Sequence, residues 1–117
     1  MSLKVILIGT GGFGSCWEEA IITHRLQVVA IVEKDEAMAE QARERYKLPK
    51  NRVFKADDLS WAQLKADLVI DSAPPFDRKK RIIAALLSGK NCLSAKPVIL
   101  DVAECLEIME TEKASGK

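Results

Sequence analysis

One stretch near the N-terminus constrains the fold more than any other. Residues 5–8 are four consecutive apolar residues, and they run directly into the glycine pattern Gly9-x-Gly11-x-x-Gly14. Residues 15–24, which follow without a break, form an amphipathic segment. An unbroken apolar run is typical of a parallel strand that helices cover on both faces. The stretch therefore predicts a buried strand, a tight turn and a helix.

The glycines of this turn predict a phosphate site. Gly9 permits the sharp turn, Gly11 leaves room for a pyrophosphate against bare backbone, and Gly14 lets the helix lie close to the strand. The unpaired N–H groups and the positive dipole end of the helix then face the phosphates. The predicted phosphate-binding turn consists of Gly9, Thr10, Gly11, Gly12, Phe13 and Gly14.

A second apolar run supplies the remaining part of a dinucleotide site. Residues 27–32 end at Glu33, which follows the last glycine by about 20 residues, the spacing at which an acid binds the ribose hydroxyls of an adenosine. A carboxylate repels a 2′-phosphate, so Glu33 favours NAD as the cofactor. Lys34 partly offsets that charge, which leaves NADP as the second candidate. A glycine pattern alone is weak evidence, but strand, turn and acid together predict a dinucleotide site.

Length and charge narrow the class of protein. A chain of 117 residues forms one domain with a core of its own. Lysine and arginine (18) nearly balance aspartate and glutamate (17), so no field of one sign favours nucleic acid or membrane as a partner. The first apolar run is too short to span a bilayer and ends in glycines rather than a cleavage site. We therefore expect a soluble, cytoplasmic protein.

The cysteines and the single histidine carry no clear chemistry. Cys16, Cys92 and Cys105 are odd in number and lack a C-x-x-C pair, which predicts reduced, mostly buried thiols. Cys16 lies near the start of the predicted helix, where the dipole favours a thiolate, so a redox or regulatory role for it is the alternative. His24 is expected at the surface, at the C-terminal end of the first helix, rather than in catalysis. We predict no metal site.

The rest of the chain alternates between strand and helix patterns. The predicted elements are a strand over 3–8, a helix over 12–24, a strand over 27–32, a helix over 36–46 capped by Asp35, a short strand near 52–55, a small helix near 61–65, a strand over 67–73, a helix over 76–88 ending at Gly89, a strand over 91–95 and a last helix opening at 101–104. This alternation predicts a doubly wound parallel sheet, a three-layer α/β/α Rossmann fold.

Three side-chain predictions accompany the last two helices. The basic run 78–81 is expected to be a solvated helix face, and the alternative is that it offers charge to a phosphate or an acidic substrate. The residues predicted to be buried by the helix over 76–88 are Ile82, Ile83, Leu86 and Leu87. The residues predicted to share one side of the last helix are Val102, Cys105, Leu106 and Met109.

Two sets of motifs give the chain a resemblance to a known family. The first is the glycine turn followed by residues 29–35. The second, which is more specific, is the strand that ends in Pro74-Pro75, the helix that ends in Gly89-Lys90, and then Lys96-Pro97. In this order the motifs resemble the N-terminal half of the Gfo/Idh/MocA family, the glucose–fructose oxidoreductase and inositol dehydrogenase group. The resemblance covers residues 4–116.

The resemblance implies roles for individual residues. The glycines would hold the pyrophosphate, Glu33 the adenine ribose, and Lys96 would lie beside the nicotinamide and the reacting carbon. A lysine at the carboxyl end of a strand, followed by a proline, can donate to a substrate oxygen, although a surface loop lysine is the alternative. The cofactor-binding residues expected near the double proline and Lys96 are Ser72, Ala73, Pro74, Pro75 and Lys96.

Two departures from the family pattern suggest a changed substrate site. Ala95 stands where the family usually has glutamate, and Arg78 where it usually has histidine. In the family a second domain, mostly antiparallel sheet, supplies the substrate contacts and the groups for proton transfer. We therefore expect residues 1–117 to be the cofactor domain alone, with the second domain absent and with oligomers forming through that domain.

The resemblance implies an NAD(P)-dependent oxidoreductase that transfers a hydride between nicotinamide and a sugar or polyol. This segment alone would bind cofactor with little or no turnover. A non-catalytic module that senses NAD(H) is the alternative, and Lys96-Pro97 favours the enzyme because a sensor needs no lysine at the nicotinamide. A weaker third hypothesis is a two-domain reductase of the dihydrodipicolinate reductase type.

Overall fold

The computed structural model describes residues 3–10, 18–73, 78–94 and 102–117. Its strands are β1 (Lys4–Ile8), β2 (Gln27–Val32), β3 (Val53–Phe54), β4 (Leu68–Asp71) and β5 (Asn91–Ser94). Its helices are α1 (Glu18–Thr23), α2 (Glu36–Arg45), α3 (Arg78–Leu87) and α4 (Val102–Ser115), with 3₁₀ turns at Lys50–Arg52 and Ser60–Gln63. The predicted alternation is confirmed, and the predicted small helix near 61–65 is a 3₁₀ turn that begins at Ser60.

The five strands form one parallel sheet in the order β3-β2-β1-β4-β5. The chain runs outward from β1 to β3 and then continues on the other side of β1 with β4 and β5. This reversal puts the topological switch point between β1 and β4, where doubly wound proteins bind ligands at the carboxyl ends of the strands. The predicted doubly wound fold is confirmed.

Both faces of the sheet are buried along its central strands, β1, β2 and β4. Alternate residues of β1 point to opposite faces, as the period of two along a strand requires. Val5 and Leu7 pack with Ile21 of α1 and Ala42 of α2 on one face. The other face carries Ile6, Ile8, Ala30, Val32 and Val69, which pack with Trp61 and with Ala85 of α3. The arrangement has three layers, and the unbroken apolar run in β1 reflects burial on both sides.

Each of the four helices described is followed, within two residues, by a residue in the left-handed conformation, which after α4 is Gly116. Gly89 has φ of +84° after α3, and the N–H groups of Gly89 and Lys90 donate back to the last turn of the helix, which is a Schellman motif. The predicted stop at Gly89 is confirmed. Arg25 after α1 and Lys47 after α2 adopt the same conformation, which the sequence does not signal because positive φ is uncommon outside glycine.

Helix α3 buries only part of its predicted apolar side. Ile82 and Leu86 are buried, whereas Leu87 is 70% exposed, so its predicted burial is wrong. The helix turns by about 100° per residue, which rotates Leu87 away from the stripe that faces the sheet.

Helix α4 packs along α3, and Lys79 of α3 forms an ion pair with Glu107 of α4 at 3.0 Å. Of the residues predicted to share its apolar side, Cys105 is half-buried, but Leu106 and Met109 are 57% and 58% exposed. These two residues therefore face away from α3. Among the helices described, α4 included, none has the length and apolar character needed to cross a membrane.

Two of the three cysteines lie within the described residues. Cys92 and Cys105 are free and half-buried, which agrees with the predicted reduced thiols. Burial raises the pKa of the Cys92 thiol to about 12, so this sulfur stays protonated and unreactive at neutral pH. Cys16 lies outside the described residues.

Candidate functional site

The candidate site is the edge where the carboxyl ends of β1, β2 and β4 meet. Gly9 follows β1, and its N–H donates to the carbonyl of Val32 in β2 at 2.8 Å. Ser72 follows β4, and its N–H donates to the carbonyl of Ile8 in β1, also at 2.8 Å. The strands are therefore hydrogen-bonded to their last residues. As a result the residues that follow them leave the sheet from one continuous edge.

Gly9 touches the chain that leaves β4. Its φ is +84°, and a Cβ at this position would lie 2.7 Å from the backbone nitrogen of Ala73 and 2.9 Å from its Cα. Both the backbone conformation and the space available therefore require glycine. The sequence predicts the tight turn at Gly9, but the contact with Ala73 becomes visible only when β1 and β4 are neighbours.

The Glu33 carboxylate links the end of β1 to the start of α2. Its Oε1 accepts hydrogen bonds from the N–H of Thr10 at 2.8 Å and from the Thr10 hydroxyl at 2.9 Å. Its Oε2 accepts from the N–H of Asp35 at 3.0 Å. The backbone of Lys34 also hydrogen-bonds to this carboxylate, so these donors account for the approximately four acceptor positions that a carboxylate offers. The sequence predicts Glu33 as a ribose ligand and does not predict this link.

Glu33 stays ionised at neutral pH. Burial raises its pKa, but the hydrogen bonds from Asp35, Thr10 and the backbone of Lys34 together lower it further, so the net pKa lies below the ordinary value. An ionised carboxylate accepts hydrogen bonds and donates none. The side chain is therefore suited to bind hydroxyl groups and to repel a phosphate.

A groove of about 550 Å³ opens beside Glu33, between α2 and β3. The apolar residues that line it are Ala39, Val53, Phe54 and Ala56. The basic residues that line it are Lys34, Arg43, Lys50 and Lys55. The acidic residues that line it are Glu33, Glu36, Glu40 and Asp57. Small-molecule sites are typically clefts of this size, mostly apolar with a few placed polar groups.

A second carboxylate, Asp71, lies at the end of β4 and is completely buried. Arg81 donates to it from Nε at 2.7 Å and from Nη2 at 3.3 Å. The Nε of Arg78 lies 3.7 Å from Asp71 Oδ1. These three side chains, the Asp71 cluster, bring two arginines to one carboxylate beneath the candidate site.

The prediction that the basic run 78–81 is a solvated helix face is wrong for its two arginines. Arg78 is 1% exposed and Arg81 is 5% exposed, because both positions lie on the stripe of α3 that faces the sheet. Lys79 and Lys80, between them, remain nearer the surface. Burial lowers the pKa of Arg78, Asp71 raises it and Arg81 lowers it again, and the net change is downward.

A signal for the Asp71 cluster was present in the sequence. Asp71 ends an apolar strand, and a buried carboxylate requires a partner. Arg78 and Arg81 are three residues apart on the helix that follows, a spacing that places both on one face. Reading the strand as a uniformly apolar run conceals this pairing.

The structure places six of the predicted site residues around this edge. They are Gly9, Thr10, Glu33, Lys34, Ser72 and Ala73. The predicted site residues outside the described part of the chain are Gly11, Gly12, Phe13, Gly14, Pro74, Pro75 and Lys96, as is Ala95. The phosphate role of the later glycines and the catalytic role of Lys96 therefore stay predictions. His24 is exposed just beyond α1, as expected for a surface residue.

A family model described as an oxidoreductase family with an NAD-binding Rossmann fold, Gfo/Idh/MocA, matches residues 3–117. Inositol 2-dehydrogenase from Paracoccus denitrificans (strain Pd 1222) is 28% identical over 119 residues, which cover 100% of this chain and 35% of that protein. Alpha-N-acetylgalactosaminidase from Shewanella oneidensis is 30% identical over 123 residues, covering 98% of this chain and 27% of that protein. The chain thus spans about a third of the length of the curated relatives it matches.

Solved structures share the fold. The crystal structure of scyllo-inositol dehydrogenase from Lactobacillus casei, with bound NAD(H) and scyllo-inositol, has a TM-score of 0.85 and 20% identity. The match covers 99% of this chain and 34% of that one. At this identity the similarity establishes the fold. The family match over residues 3–117 establishes more: the chain belongs to the Gfo/Idh/MocA oxidoreductase family, of which it forms the NAD-binding Rossmann domain.

Proposed function

We propose that this chain is the cofactor-binding part of an NAD-dependent dehydrogenase that oxidises a hydroxyl group of a sugar or polyol. The observation that carries the proposal is the position of an ionised Glu33 beside the side-chain-free backbone of Gly9, at the switch point of the sheet. The inositol dehydrogenases among its relatives support the substrate class.

Each residue would act by binding or orientation. Glu33 would accept a hydrogen bond from the adenine ribose, and the groove between α2 and β3 would hold the base. The turn from Gly9 to Gly14 would bind the pyrophosphate through its backbone. Bound NAD supplies the hydride acceptor, and the protein supplies its placement. The residues proposed to lie along the rest of the cofactor are Ser72, Ala73, Pro74, Pro75 and Lys96.

The substrate contacts would come from outside these residues. The relatives are about three times as long as this chain, and a second domain would supply substrate-binding and proton-transfer groups. Lys96 would then donate to the substrate oxygen from the cofactor side. Oligomerisation through that second domain and a cytoplasmic location belong to the same proposal.

Calorimetric titration with NADH and, separately, with NADPH tests the cofactor site. We expect NADH to bind more tightly, because Glu33 accepts from a 2′-hydroxyl and repels a 2′-phosphate. Glu33→Ala should abolish the preference. Glu36→Ala is the matched control, since it removes an exposed carboxylate from the same groove and should leave the preference in place. Absence of binding by either cofactor at millimolar concentration would contradict the proposal.

A further inference from the structure

We propose that Arg78 is a positioning residue for the cofactor site, because it holds the backbone of Ala73 against Gly9. This inference rests on the proposed function, since the edge it organises is the one assigned to NAD. Arg78 lies in α3, below the sheet edge, and it reaches Ala73 with its guanidinium.

Both ends of Ala73 are held by groups of opposite charge. Its N–H donates to Asp71 Oδ1 at 3.2 Å, and its carbonyl accepts a hydrogen bond from Nη2 of Arg78. The Nε of Arg78 in turn lies 3.7 Å from the same Asp71 oxygen. Carboxylate, backbone and guanidinium thus close a ring around one residue. Asp71 and Arg78 are almost completely buried, so water competes little for these bonds.

The position of Ala73 sets the position of the glycine turn. Its nitrogen and Cα are the atoms that a side chain at Gly9 would meet, so the two backbones are in direct contact. A displacement of Ala73 by a few tenths of an ångström would either press on the backbone of Gly9 or loosen its contact with that backbone. The turn assigned to the pyrophosphate starts at Gly9, and its geometry therefore depends on Ala73.

The helix dipole and burial both disfavour an arginine at position 78. A cation in the first turn of a helix opposes the helix dipole, and burial penalises its charge, which lowers the pKa of Arg78. The Asp71 cluster contains two arginines, although one of them would be enough to neutralise the carboxylate. A residue that breaks several local rules is expected at a functional position, and its contact with Ala73 is what distinguishes Arg78.

Arg81 provides a matched comparison within the same cluster. It carries the same charge, is also buried and pairs with the same carboxylate. Its described hydrogen bonds go to Asp71, and none of those described joins it to Ala73. A role confined to neutralising Asp71 would make Arg81, which has the shorter contacts with that carboxylate, at least as important as Arg78 for the cofactor site. A positioning role would make Arg78 the more important.

The test compares Arg78→Gln with Arg81→Gln by NADH titration, at a temperature where thermal unfolding shows both variants folded. Loss of one hydrogen bond to a charged group corresponds to about a tenfold change in an equilibrium constant or more. We expect the NADH Kd to rise about tenfold or more in Arg78→Gln and to change little in Arg81→Gln. An effect of Arg81→Gln equal to or larger than that of Arg78→Gln would overturn the inference.

The carbonyl ¹³C shift of Ala73 provides a readout that is independent of the cofactor. It should move in Arg78→Gln, which removes the donor, and stay near its wild-type value in Arg81→Gln. An unchanged shift in Arg78→Gln would overturn the inference even if NADH binding fell. If wild-type protein binds no NADH, the proposed function fails, and with it the inference that Arg78 positions a cofactor site; the shift then reports only the local contact.

Arg78→Lys keeps the experiment decisive if the glutamine variant does not fold. Lysine retains the charge beside Asp71 but lacks the planar fork that reaches two acceptors at once. We expect it to restore folding and only part of the NADH affinity. Full recovery of NADH affinity would overturn the inference, because the positive charge alone would then account for the effect of Arg78 on NADH binding.

Discussion

The carboxylates at the ends of β2 and β4 accept the same kind of backbone hydrogen bond but lie in different surroundings. Glu33 accepts from the N–H of Asp35, and Asp71 accepts from the N–H of Ala73, in each case two residues further along. Glu33 is half-buried and its described partners are neutral donors, whereas Asp71 is completely buried and pairs with two arginines.

The difference separates an acid suited to a ligand from an acid used by the fold. Glu33 carries a full negative charge at an open edge beside a groove, so a hydroxyl of a ligand can still reach it. Asp71 is surrounded by cations of its own chain and is closed to solvent. An acid at the carboxyl end of a parallel strand is therefore a binding residue only where the fold leaves it uncovered.

The largest effect is expected for Asp71→Ala. Removing the carboxylate leaves two buried arginines without their counter-ion, which should lower the free energy of unfolding by about 3 to 5 kcal/mol. Denaturant unfolding measures the change. Asp58→Ala is the control, because Asp58 is exposed and the hydrogen bonds described for its side chain come from the N–H and the hydroxyl of Ser60. A loss as small as that of the control would show that the charge of Asp71 matters little.

Gly9→Ala tests the contact between Gly9, which follows β1, and Ala73, which follows β4. We expect the free energy of unfolding to fall by about 2 to 4 kcal/mol, because alanine disfavours the left-handed backbone and its Cβ clashes with Ala73. Gly89→Ala is matched, since Gly89 has the same φ of +84° and open space where a Cβ would stand. The excess of the first loss over the second measures the clash. If thermal unfolding shows equal losses of stability in the two variants, the backbone of Ala73 moves away from the added Cβ at little cost.

Glu33→Gln should lower the free energy of unfolding by less, about 1 to 2 kcal/mol, because the amide replaces one acceptor oxygen by a donor that faces N–H groups. The pH dependence should change as well. The pKa of Glu33 is lowered in the folded protein, so its stabilising contribution is complete above the ordinary glutamate pKa and is lost as pH falls through the lowered value.

Unfolding measured at a series of pH values from neutral into the acid range checks this pH dependence. Wild-type protein should lose more stability on acidification than Glu33→Gln. Parallel curves for the two proteins would show that the hydrogen bonds to Glu33 do not favour its charged form.

The smallest effect is expected for Asp35→Ala. The Asp35 side chain accepts from the N–H of Met38 and caps α2, and loss of an N-cap costs about 1 kcal/mol. The backbone N–H of Asp35 still reaches Glu33, so the preference for NADH over NADPH should not change. A changed preference in the two titrations would show that Glu33 depends on the cap as well as on the backbone.

Much of the fold follows from local patterns. The apolar runs of β1 and β2, the cap at Asp35 and the stop at Gly89 each predict an element that the structure contains. These signals are readable because they depend on residues within one or two turns of each other. The exposure of Leu87 and the left-handed Lys47 are not readable, since packing and helix ends decide them.

In the candidate site, too, some features follow from local sequence and others depend on tertiary contacts. Gly9 and Glu33 stand out in the sequence because turn geometry and the spacing from strand to acid are local properties. The link from Glu33 to Thr10 depends on β1 and β2 being neighbours, and the burial of Arg78 over Asp71 depends on how α3 packs on the sheet. A basic run in the sequence has the same composition whether it meets solvent or a buried carboxylate.

By itself, then, the sequence determined the order of strands and helices, the glycine turn and the acid after β2, because each depends on the conformations that a short stretch can adopt. Only the tertiary structure decided that Ala73 lies against Gly9 and that Arg78 and Arg81 share Asp71. The reason is physical: the contact between Gly9 and Ala73 joins residues far apart in the chain, and the burial that makes the charges of Asp71, Arg78 and Arg81 pair exists only once α3 has packed on the sheet.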